Sequence, residues 1–224
     1  EDLQIVKSGP SERRKFLDIE LSQMERLYLY QLTNYNKILV QRNNLLKQIR
    51  FQNNLIETLE AWDIQLVKYG SEVIKYREKF IKHLGEVCQK IHNKLTGGKE
   101  KILLEYDRDV GYDSYLTDLA KKRQKDLKYS TTTVGPHRDD ISFIVNGIDI
   151  RKYGSQGQQR TAALSLKLAQ IQLMREVMKE SPILLLDDVL SELDSNRKTY
   201  LLESIKDTQT IITCTGLDEF ISKH

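Results

Sequence analysis

Ile183-Leu184-Leu185-Leu186-Asp187-Asp188 is the stretch that decides the fold. Four consecutive apolar residues are typical of a strand buried on both faces of a parallel sheet. Two adjacent carboxylates at its end are unusual, because buried charge is costly unless a cation or donor offsets it. Ligands bind at this end of parallel strands, so we predict that Asp187 binds Mg²⁺ and that Asp188 positions or deprotonates a water. From the hexapeptide alone, a polar strand end that simply meets a loop is an equally good interpretation.

Two flanking segments favour the ligand-binding interpretation. Upstream, Ser155-Gln156-Gly157-Gln158 precedes a stretch rich in Ala and Leu that predicts a helix from about Gln159 to Met178. A hydroxyl, free backbone N–H groups and the helix dipole together form an anion site, and Gly157 lets the backbone approach a phosphate closely. Such a helix start is weak evidence by itself. Downstream, Ser191-Glu192-Leu193-Asp194 follows the carboxylates directly.

These segments resemble the signature, Walker B and D-loop motifs of ABC-type ATPases. Two further strings, Gly9 to Asp18 and Gly135-Pro136-His137-Arg138-Asp139-Asp140, complete a set of four. In this order and spacing the set is similar to the RecF family of the ABC/SMC-like superfamily, and the resemblance covers almost the whole chain. Asp188 fits as well, because RecF-like proteins carry Asp-Asp where most ABC proteins carry Asp-Glu.

The resemblance implies an α/β fold class: the C-terminal part of an ABC/SMC-type ATPase lobe with an inserted helical lobe of long antiparallel helices. Residues 1–18 and 129–224 would form the partial ATPase lobe, and residues 19–128 the inserted lobe. The segment Ser155, Gln156, Gly157 and Gln158 would contact ATP bound to the opposite subunit. Asp194 would lie at the dimer interface.

The resemblance also implies a function. RecF-like proteins dimerise on ATP, bind DNA, and work with RecR and RecO to load RecA at single-stranded gaps, with a slow ATPase that acts as a switch. The predicted protein is therefore a cytoplasmic DNA-binding recombination mediator of repair and replication. It would act at gap junctions with ATP and Mg²⁺ as cofactors and without a membrane. Two alternatives are a non-catalytic module that docks RecR or DNA, and another SMC-like repair ATPase, which should carry a far longer coiled coil.

One departure from the family pattern concerns the P-loop. No Gly-x-x-x-x-Gly-Lys-Ser/Thr string occurs in the sequence, although this loop supplies the backbone and the Lys that hold phosphates. In RecF-like chains it lies upstream, and Glu1 is not an initiator methionine, so a preceding segment is expected and this piece should not bind ATP tightly alone. Thr213-Cys214-Thr215 also stands where many ABC proteins have a switch histidine.

Residues from about 19 to 95 predict a pair of long helices. The stretch has no proline, and its apolar residues recur at seven-residue spacing, which is typical of a coiled coil or an antiparallel bundle. Arg42 and Asn53 interrupt the pattern, and the first helix should end or bend near Asn53-Asn54. A plain helical bundle without further function remains open. The spaced sets are Tyr28, Tyr35, Ile49, Ile56; Leu32, Leu39, Leu46; Leu66, Val73, Phe80, Val87; and Ile74, Ile81, Cys88, Leu95.

The remaining elements are short. Strands are predicted at Ile102 to Tyr106 and Thr210 to Thr213, the latter buried, and a helix from Asn196 to Ile205. Asn146-Gly147 between β-type runs that end at Val145 and Ile150 predicts a hairpin. Ser8 or Ser11 should cap the first helix.

Positive charge is concentrated on a helix predicted from Tyr115 to Lys128. Its candidates for DNA phosphate contact are Lys121, Lys122, Arg123 and Lys125, although a run of charge is more often a solvated face. Arg138 is a further candidate, with a structural ion pair to Asp139 or Asp140 as the alternative. Arg13 and Arg14 read as a surface pair or as phosphate contacts, with the surface pair favoured.

Composition limits the other classes. The chain has 224 residues, 39% of them hydrophobic, which suffices for a core, and a net charge of +3, which is far from a basic tail. No stretch approaches the roughly 20 apolar residues of a membrane span. Two cysteines far apart in sequence are typical of unpaired thiols in a reducing compartment.

Overall fold

The computed structural model describes residues 3–179, 181–190 and 193–213, apart from the side chains of Leu3 and Asn53. These residues fall into two compact units. The first unit comprises Leu3–His83 and Leu104–Phe143, and the second comprises Leu84–Leu103 and the described residues from Ile144 onward. The helices are α1 Leu3–Lys7, α2 Pro10–Met24, α3 Arg26–Ile49, α4 Leu59–Leu95, α5 Tyr115–Tyr129, α6 Ile150–Tyr153, α7 Gln156–Met178 and α8 Ser195–Ser204. The strands are β1 Ile102–Asp107, β2 Asp140–Val145, β3 Ile148–Asp149, β4 Leu184–Asp187 and β5 Thr210–Thr213.

The start of α2 corrects the predicted serine cap. Gly9 is the N-cap residue, with extended backbone and no side-chain cap, and Pro10 occupies the first helical position, where its missing N–H costs nothing. The predicted first helix is also divided, because Glu25 is extended at φ −139° and ψ 101°. Its carboxylate then accepts a hydrogen bond from the Leu27 N–H at 3.4 Å and so caps α3.

The antiparallel pair of long helices is confirmed. In the first unit, the Tyr28 ring meets Tyr76 edge-on at 5.9 Å, and Tyr30 meets Tyr69 at 6.4 Å, so α3 and α4 run in opposite directions. The chain reverses at residues 50–58 and includes a 3-10 helix at Asn53–Thr58, where the break was predicted. The seven-residue pattern of α4 corresponds to its buried side: Leu66, Val73, Phe80, Val87, Ile74, Ile81, Cys88 and Leu95 are all at most 9% exposed.

Arg42, which interrupts the apolar pattern of α3, belongs to the core of the first unit. Its side chain is fully buried. Its Nε donates to Asp63 at 2.6 Å, and its Nη1 donates to Asp126 at 2.7 Å and to the Thr132 hydroxyl at 2.8 Å. The guanidinium therefore joins α3, α4, α5 and the segment after α5 through charge-assisted hydrogen bonds.

The hairpin predicted at Asn146-Gly147 is present. Both turn residues have positive φ, 49° and 81°, and Val145 pairs with Ile148 in an antiparallel register. Paired left-handed residues match the twist of a two-residue hairpin, and Asn-Gly tolerates this conformation best. The second strand is shorter than predicted, because the Asp149 carboxylate accepts from the Arg151 N–H and starts α6 at Ile150.

The carboxyl-terminal elements of the second unit confirm a parallel pair of strands. Leu184 pairs with Thr210 and Asp187 with Thr213. The predicted burial on both faces is wrong for both strands: Leu185 is 66% exposed and Ile211 is 56% exposed. Two-sided burial requires cover on each face, and the described residues cover one face of this two-stranded sheet. No helix in the described part of the chain has the length and apolar character that crossing a membrane requires.

Candidate functional site

The N-terminus of α7 carries the predicted anion-binding segment. Ser155 is the N-cap residue: its Oγ accepts from the Gln158 N–H at 3.2 Å, and the Gln158 side chain accepts from the Ser155 N–H at 3.0 Å. This reciprocal capping box fixes the first turn. Within the described residues, no acceptor is recorded for the N–H groups of Gln156 and Gly157, as expected at a helix start. The Ser155 hydroxyl proton also remains available for donation.

Gly157 leaves open space at this helix start. A Cβ built on it would have the Ser155 Oγ, 3.9 Å away, as its one neighbour within 4 Å. Packing among the described residues therefore does not require a glycine at this position. Ser155, Gln156 and Gly157 are all exposed. A helix start that the described residues leave exposed, with free N–H groups, suits close approach by an anion.

Asp187, the last residue of β4, and Asp188, which follows it, are exposed, and both residues hydrogen-bond to β5. The Thr213 hydroxyl donates to Asp187 Oδ1 at 2.5 Å, while the Asp188 N–H donates to the Thr213 carbonyl at 3.1 Å. Asp188 has φ +49°, a left-handed conformation that an L side chain adopts at a cost. The backbone hydrogen bond to β5 stabilises that turn, so the backbone leaves the strand at Asp188 in a defined conformation.

Asp187 fits the chemistry of a magnesium ligand. A carboxylate oxygen is the donor that Mg²⁺ prefers, and one carboxylate together with phosphate oxygens and waters is a usual set. Thr213 donates to Asp187 Oδ1, and no hydrogen bond from the described residues reaches Asp187 Oδ2. Oδ2 is therefore the oxygen that could bind a metal ion. Within the described residues, no cluster of three or more His, Cys, Asp or Glu side chains with the spacing of a metal site occurs.

Asp194 caps α8. Its carboxylate accepts from the Arg197 N–H at 3.0 Å and lies 3.5 Å from the Arg197 Nε, and the residue is exposed. The structure thus shows a local helix-capping role for Asp194, which the family resemblance places at a dimer interface. Ser191, Glu192, Cys214 and Thr215, which belong to the D-loop and switch strings, lie outside the described residues.

The basic candidates on α5 differ in how free they are. Lys122 and Lys125 are exposed, with no ion-pair partner among the described residues. Lys121 pairs with Asp118, one helical turn away, at 3.2 Å, and its side chain is still largely exposed. Arg123 donates to the buried Asp63 at 3.0 Å, so its guanidinium has a structural partner in α4. The exposed positive charge of the helix therefore lies mainly on its lysines.

Asp139 and Asp140 anchor the segment that starts at Gly135. Asp139 is fully buried, accepts from Arg77 Nη1 at 3.0 Å and from the Asp109 N–H at 2.9 Å, and also bonds the Tyr106 hydroxyl. Burial raises the pKa of Asp139, and the charge of Arg77 opposes that rise. Asp140 makes a two-pronged ion pair with Arg13, at 2.5 and 2.9 Å.

These contacts correct two expectations. Arg13 is fully buried, so the surface pair predicted for Arg13 and Arg14 is wrong; Arg14 Nη1 donates to the Asp139 carbonyl at 2.8 Å. The carboxylates are structural, as the alternative interpretation held, but their partners are Arg77 and Arg13 rather than Arg138. Sequence reasoning missed Arg77 altogether. A signal was present, because Arg77 lies three residues after Ile74 and four before Ile81, on the buried side of α4.

His137 holds the same segment by both ring nitrogens. Its Nδ1 lies 2.6 Å from the Tyr35 hydroxyl, and its Nε2 lies 3.0 Å from the Thr132 carbonyl, so Nε2 donates and Nδ1 accepts from the tyrosine. Burial lowers the pKa of His137, and the neighbouring Arg138 adds to that effect. Arg138 itself is exposed at the end of the 3-10 turn, with no ion-pair partner in the described part of the chain.

The chain is similar along its whole length to proteins named DNA replication and repair protein RecF. That of Agathobacter rectalis is 58% identical over 224 residues, which are the whole of this chain and 62% of that protein. That of Acetivibrio thermocellus is 45% identical over 234 residues, covering 63% of its length. The chain thus spans about three fifths of these curated relatives. No protein-family model matches it.

Solved structures confirm the fold class. A structure described as the recombination mediator protein RecF-ATP in the RecFOR pathway superposes with a TM-score of 0.89 at 40% identity, covering 96% of this chain and 60% of that one. The Smc head domain of Pyrococcus furiosus, with its extended coiled coil, superposes with a TM-score of 0.53 at 16% identity, a likeness of fold alone. The chain therefore has the α/β fold of an ABC/SMC-type ATPase head with long antiparallel helices.

Proposed function

The chain belongs to the RecF family, and on that premise we propose that the intact protein is an ATP-dependent, DNA-binding recombination mediator of DNA repair and replication. Its homodimer would act in the cytoplasm with RecR and RecO to load RecA at junctions between single- and double-stranded DNA. Support comes from relatives named for DNA replication and repair and from the ATP-bound structure of a mediator in the RecFOR pathway. The division into an ATPase lobe, residues 1–18 and 129–224, and an inserted lobe, residues 19–128, is part of this proposal.

The observation that carries the proposal is the exposed start of α7. Ser155 keeps a hydroxyl proton to donate, Gln156 and Gly157 present N–H groups without acceptors among the described residues, and Gln158 fixes the turn. Three convergent donors at a positive helix end suit the γ-phosphate of a nucleotide. Because no P-loop string occurs in this chain, a nucleotide at this helix would be held mainly by another segment or by the opposite subunit.

Asp187 and Asp188 would serve the nucleotide held by their own subunit. Asp187 would ligate Mg²⁺. When this ion is bound to ATP, it neutralises charge on the phosphates. Asp188 would accept a hydrogen bond from the water and orient it, which suits a slow, switch-like ATPase. Asp194, at the start of α8, would place that helix at the dimer contact. ATP and Mg²⁺ would be the cofactors of the intact protein.

DNA contact would come from exposed cations of the first unit. Lys121, Lys122 and Lys125 on α5, and Arg138 on its anchored turn, suit sequence-independent contact with phosphates. Arg123 would contribute by holding α5 to α4 through Asp63, at 3.0 Å. Contacts of this kind make affinity fall steeply with salt.

Light scattering of the full-length protein tests the nucleotide part. With ATP the wild type should be dimeric, whereas Ser155→Arg should stay monomeric, because the larger side chain fills the space that a phosphate needs. Gln172→Arg, an exposed position on the same helix, is the matched control and should dimerise normally. A Ser155→Arg protein that dimerises as readily as the wild type would show that α7 does not face the nucleotide of the opposite subunit.

A further inference from the structure

The turn between α3 and α4 and the end of α5 lie at the same end of the first unit. The Tyr35 hydroxyl is 3.3 Å from that of Tyr115, and further along Arg42 bonds Asp126 at 2.7 Å. Next along α5, Leu127 packs against the apolar cluster beside the turn, formed by Leu45, Leu46, Ile49, Leu59, Leu55, Ile56 and Trp62. Contacts that advance along both helices in the same order show that α5 runs parallel to α3. We call residues 50–58 together with residues 125–129 the apex.

Two aromatic side chains are exposed at the apex. Phe51, in the turn after α3, is 88% exposed, and Tyr129, the last residue of α5, is 59% exposed. The leucine and isoleucine cluster already fills the interior here, so stability does not explain the Phe51 ring. An exposed phenylalanine gains none of the free energy that burial of its surface would provide.

The exposed charge around these rings is mainly positive. The carboxylates of Asp63 and Asp126 are buried against Arg42 and Arg123, so they do not neutralise the surface. Glu57 and Glu60 are exposed acidic residues of the same end. The exposed basic residues on the last turns of α3 and along the second half of α5 are Lys47, Arg50, Lys121, Lys122, Lys125 and Lys128.

We propose that the apex binds single-stranded DNA, with Phe51 and Tyr129 stacking on unpaired bases while Arg50, Lys125 and Lys128 contact the phosphates. Stacking needs bases whose faces are free, which a duplex hides and a single strand offers. Lysines alone would bind either form through the backbone. At a gap, the two aromatic rings would thus contact the single-stranded DNA and not the duplex. This inference rests on the proposed DNA-binding function and adds the substrate form and the residues that recognise it.

Protein docking is the less favoured use of this surface. Lysine and glutamate are depleted at the centres of protein interfaces, and the apex rings are surrounded by both. A base stacked on an aromatic ring between lysines is instead the usual arrangement of single-strand binders. The charge and the rings therefore point to the same ligand.

The test measures fluorescence anisotropy of labelled DNA with the full-length protein. The two probes are a thymidine oligonucleotide of about 12 nucleotides, within the footprint of such sites, and a blunt hairpin duplex. Phe51→Ala should bind the oligonucleotide about fivefold or more weakly, and Phe51→Ala with Tyr129→Ala weaker still, with little change for the duplex. Phe51→Trp keeps a ring and should bind as tightly as the wild type.

Tyr30→Ala is the matched control, because Tyr30 is 57% exposed near the start of α3, the helix that precedes Phe51, and lies about 30 Å from Phe51 at 1.5 Å per residue. It should leave both affinities unchanged. If the wild type binds the oligonucleotide and the Phe51→Ala and double variants bind it equally tightly, the stacking site is overturned. The proposed function is not affected by that result. The stacking site is also overturned if these variants keep their affinity for the oligonucleotide and instead lose the binding of a protein partner. A wild type that binds neither probe contradicts DNA binding itself.

Discussion

Two Asp-Asp pairs in this chain have opposite surroundings. Asp139 is fully buried and Asp140 partly so, and each is paired with a buried arginine, Arg77 and Arg13 respectively. Asp187 and Asp188 are exposed at the end of β4, where the Thr213 hydroxyl donates to the Asp187 carboxylate and the Thr213 carbonyl accepts from the Asp188 N–H. The same Asp-Asp dipeptide thus has a different role at each of the two positions. A buried carboxylate that is paired with a buried arginine stabilises the fold, whereas an exposed carboxylate can be reached by a ligand.

The largest expected effect is on the buried pair. Arg77→Met should destabilise the protein by about 3 to 5 kcal/mol, because it leaves the buried Asp139 without its cation. Urea unfolding of the full-length protein measures this. The control Arg108→Met removes an ion pair to Glu78 whose side chains are 45% and 47% exposed, and should change stability by less than about 1 kcal/mol. Equal losses in both variants would contradict the distinction between buried and exposed pairs.

The exposed pair should show the reverse behaviour. Asp188→Asn should lower ATP hydrolysis by about a hundredfold, since an amide orients the water poorly and cannot accept its proton. Its unfolding midpoint should match that of the wild type, because the side chain is exposed. Steady-state phosphate release and urea unfolding on the same preparation separate the two effects. A variant that loses stability but keeps its ATPase would contradict the assignment of Asp188.

Two glycines extend the comparison. A Cβ on Gly135, which has φ +136°, would lie 2.2 Å from the Tyr115 hydroxyl, so Gly135→Ala should cost about 1 to 3 kcal/mol. A Cβ on Gly157 meets no close atom, so Gly157→Ala should keep its stability and weaken ATP-dependent dimerisation. Thermal unfolding and light scattering of both variants test this, and a stable Gly135→Ala would contradict the packing described for the Gly135–Asp140 segment.

The smallest expected effect concerns pH. Burial lowers the pKa of His137 in the folded state. Stability from the neutral imidazole is therefore present above the unfolded pKa of about 6.5 and is lost as pH falls through the folded pKa. Between pH 7 and pH 5 the wild type should lose more unfolding free energy than His137→Gln, as urea unfolding at the two pH values would measure. Burial also lowers the pKa of His92, and His92 is unchanged in both proteins. His83→Gln, at an exposed position, should behave like the wild type.

Local chemistry made much of this fold predictable. The Asn146-Gly147 hairpin and the break between α3 and α4 each depend on residues within a few positions of one another. The helix predicted from about Gln159 begins three residues earlier, at Gln156, because Ser155 caps it. The pattern of α4 was readable because its seven-residue spacing matches its buried side. The parallel pairing of β4 and β5 followed from apolar runs separated by a helix.

Long-range pairing was not predictable in the same way. Arg13 meets Asp140 across 127 residues, and nothing near Arg13 in sequence distinguishes it from a surface cation. The exposure of Leu185 and Ile211 was missed because an apolar run specifies that both faces should be covered without specifying what covers them. The functional assignment of Asp187 and Asp188 came from neighbouring strings, since the hexapeptide was equally consistent with a loop.

Subunit complementation tests the central claim most directly. If Ser155 serves the ATP of the opposite subunit and Asp188 that of its own, Ser155→Arg and Asp188→Asn proteins should each be inactive alone. A heterodimer of the two then contains one intact site and one doubly defective site. Mixing equal amounts should restore up to about half of the wild-type ATPase, because Ser155→Arg does not pair with itself and each mixed dimer has one of its two sites intact. A mixture as inactive as its components would contradict the account, because both residues would then serve the same subunit's nucleotide or none.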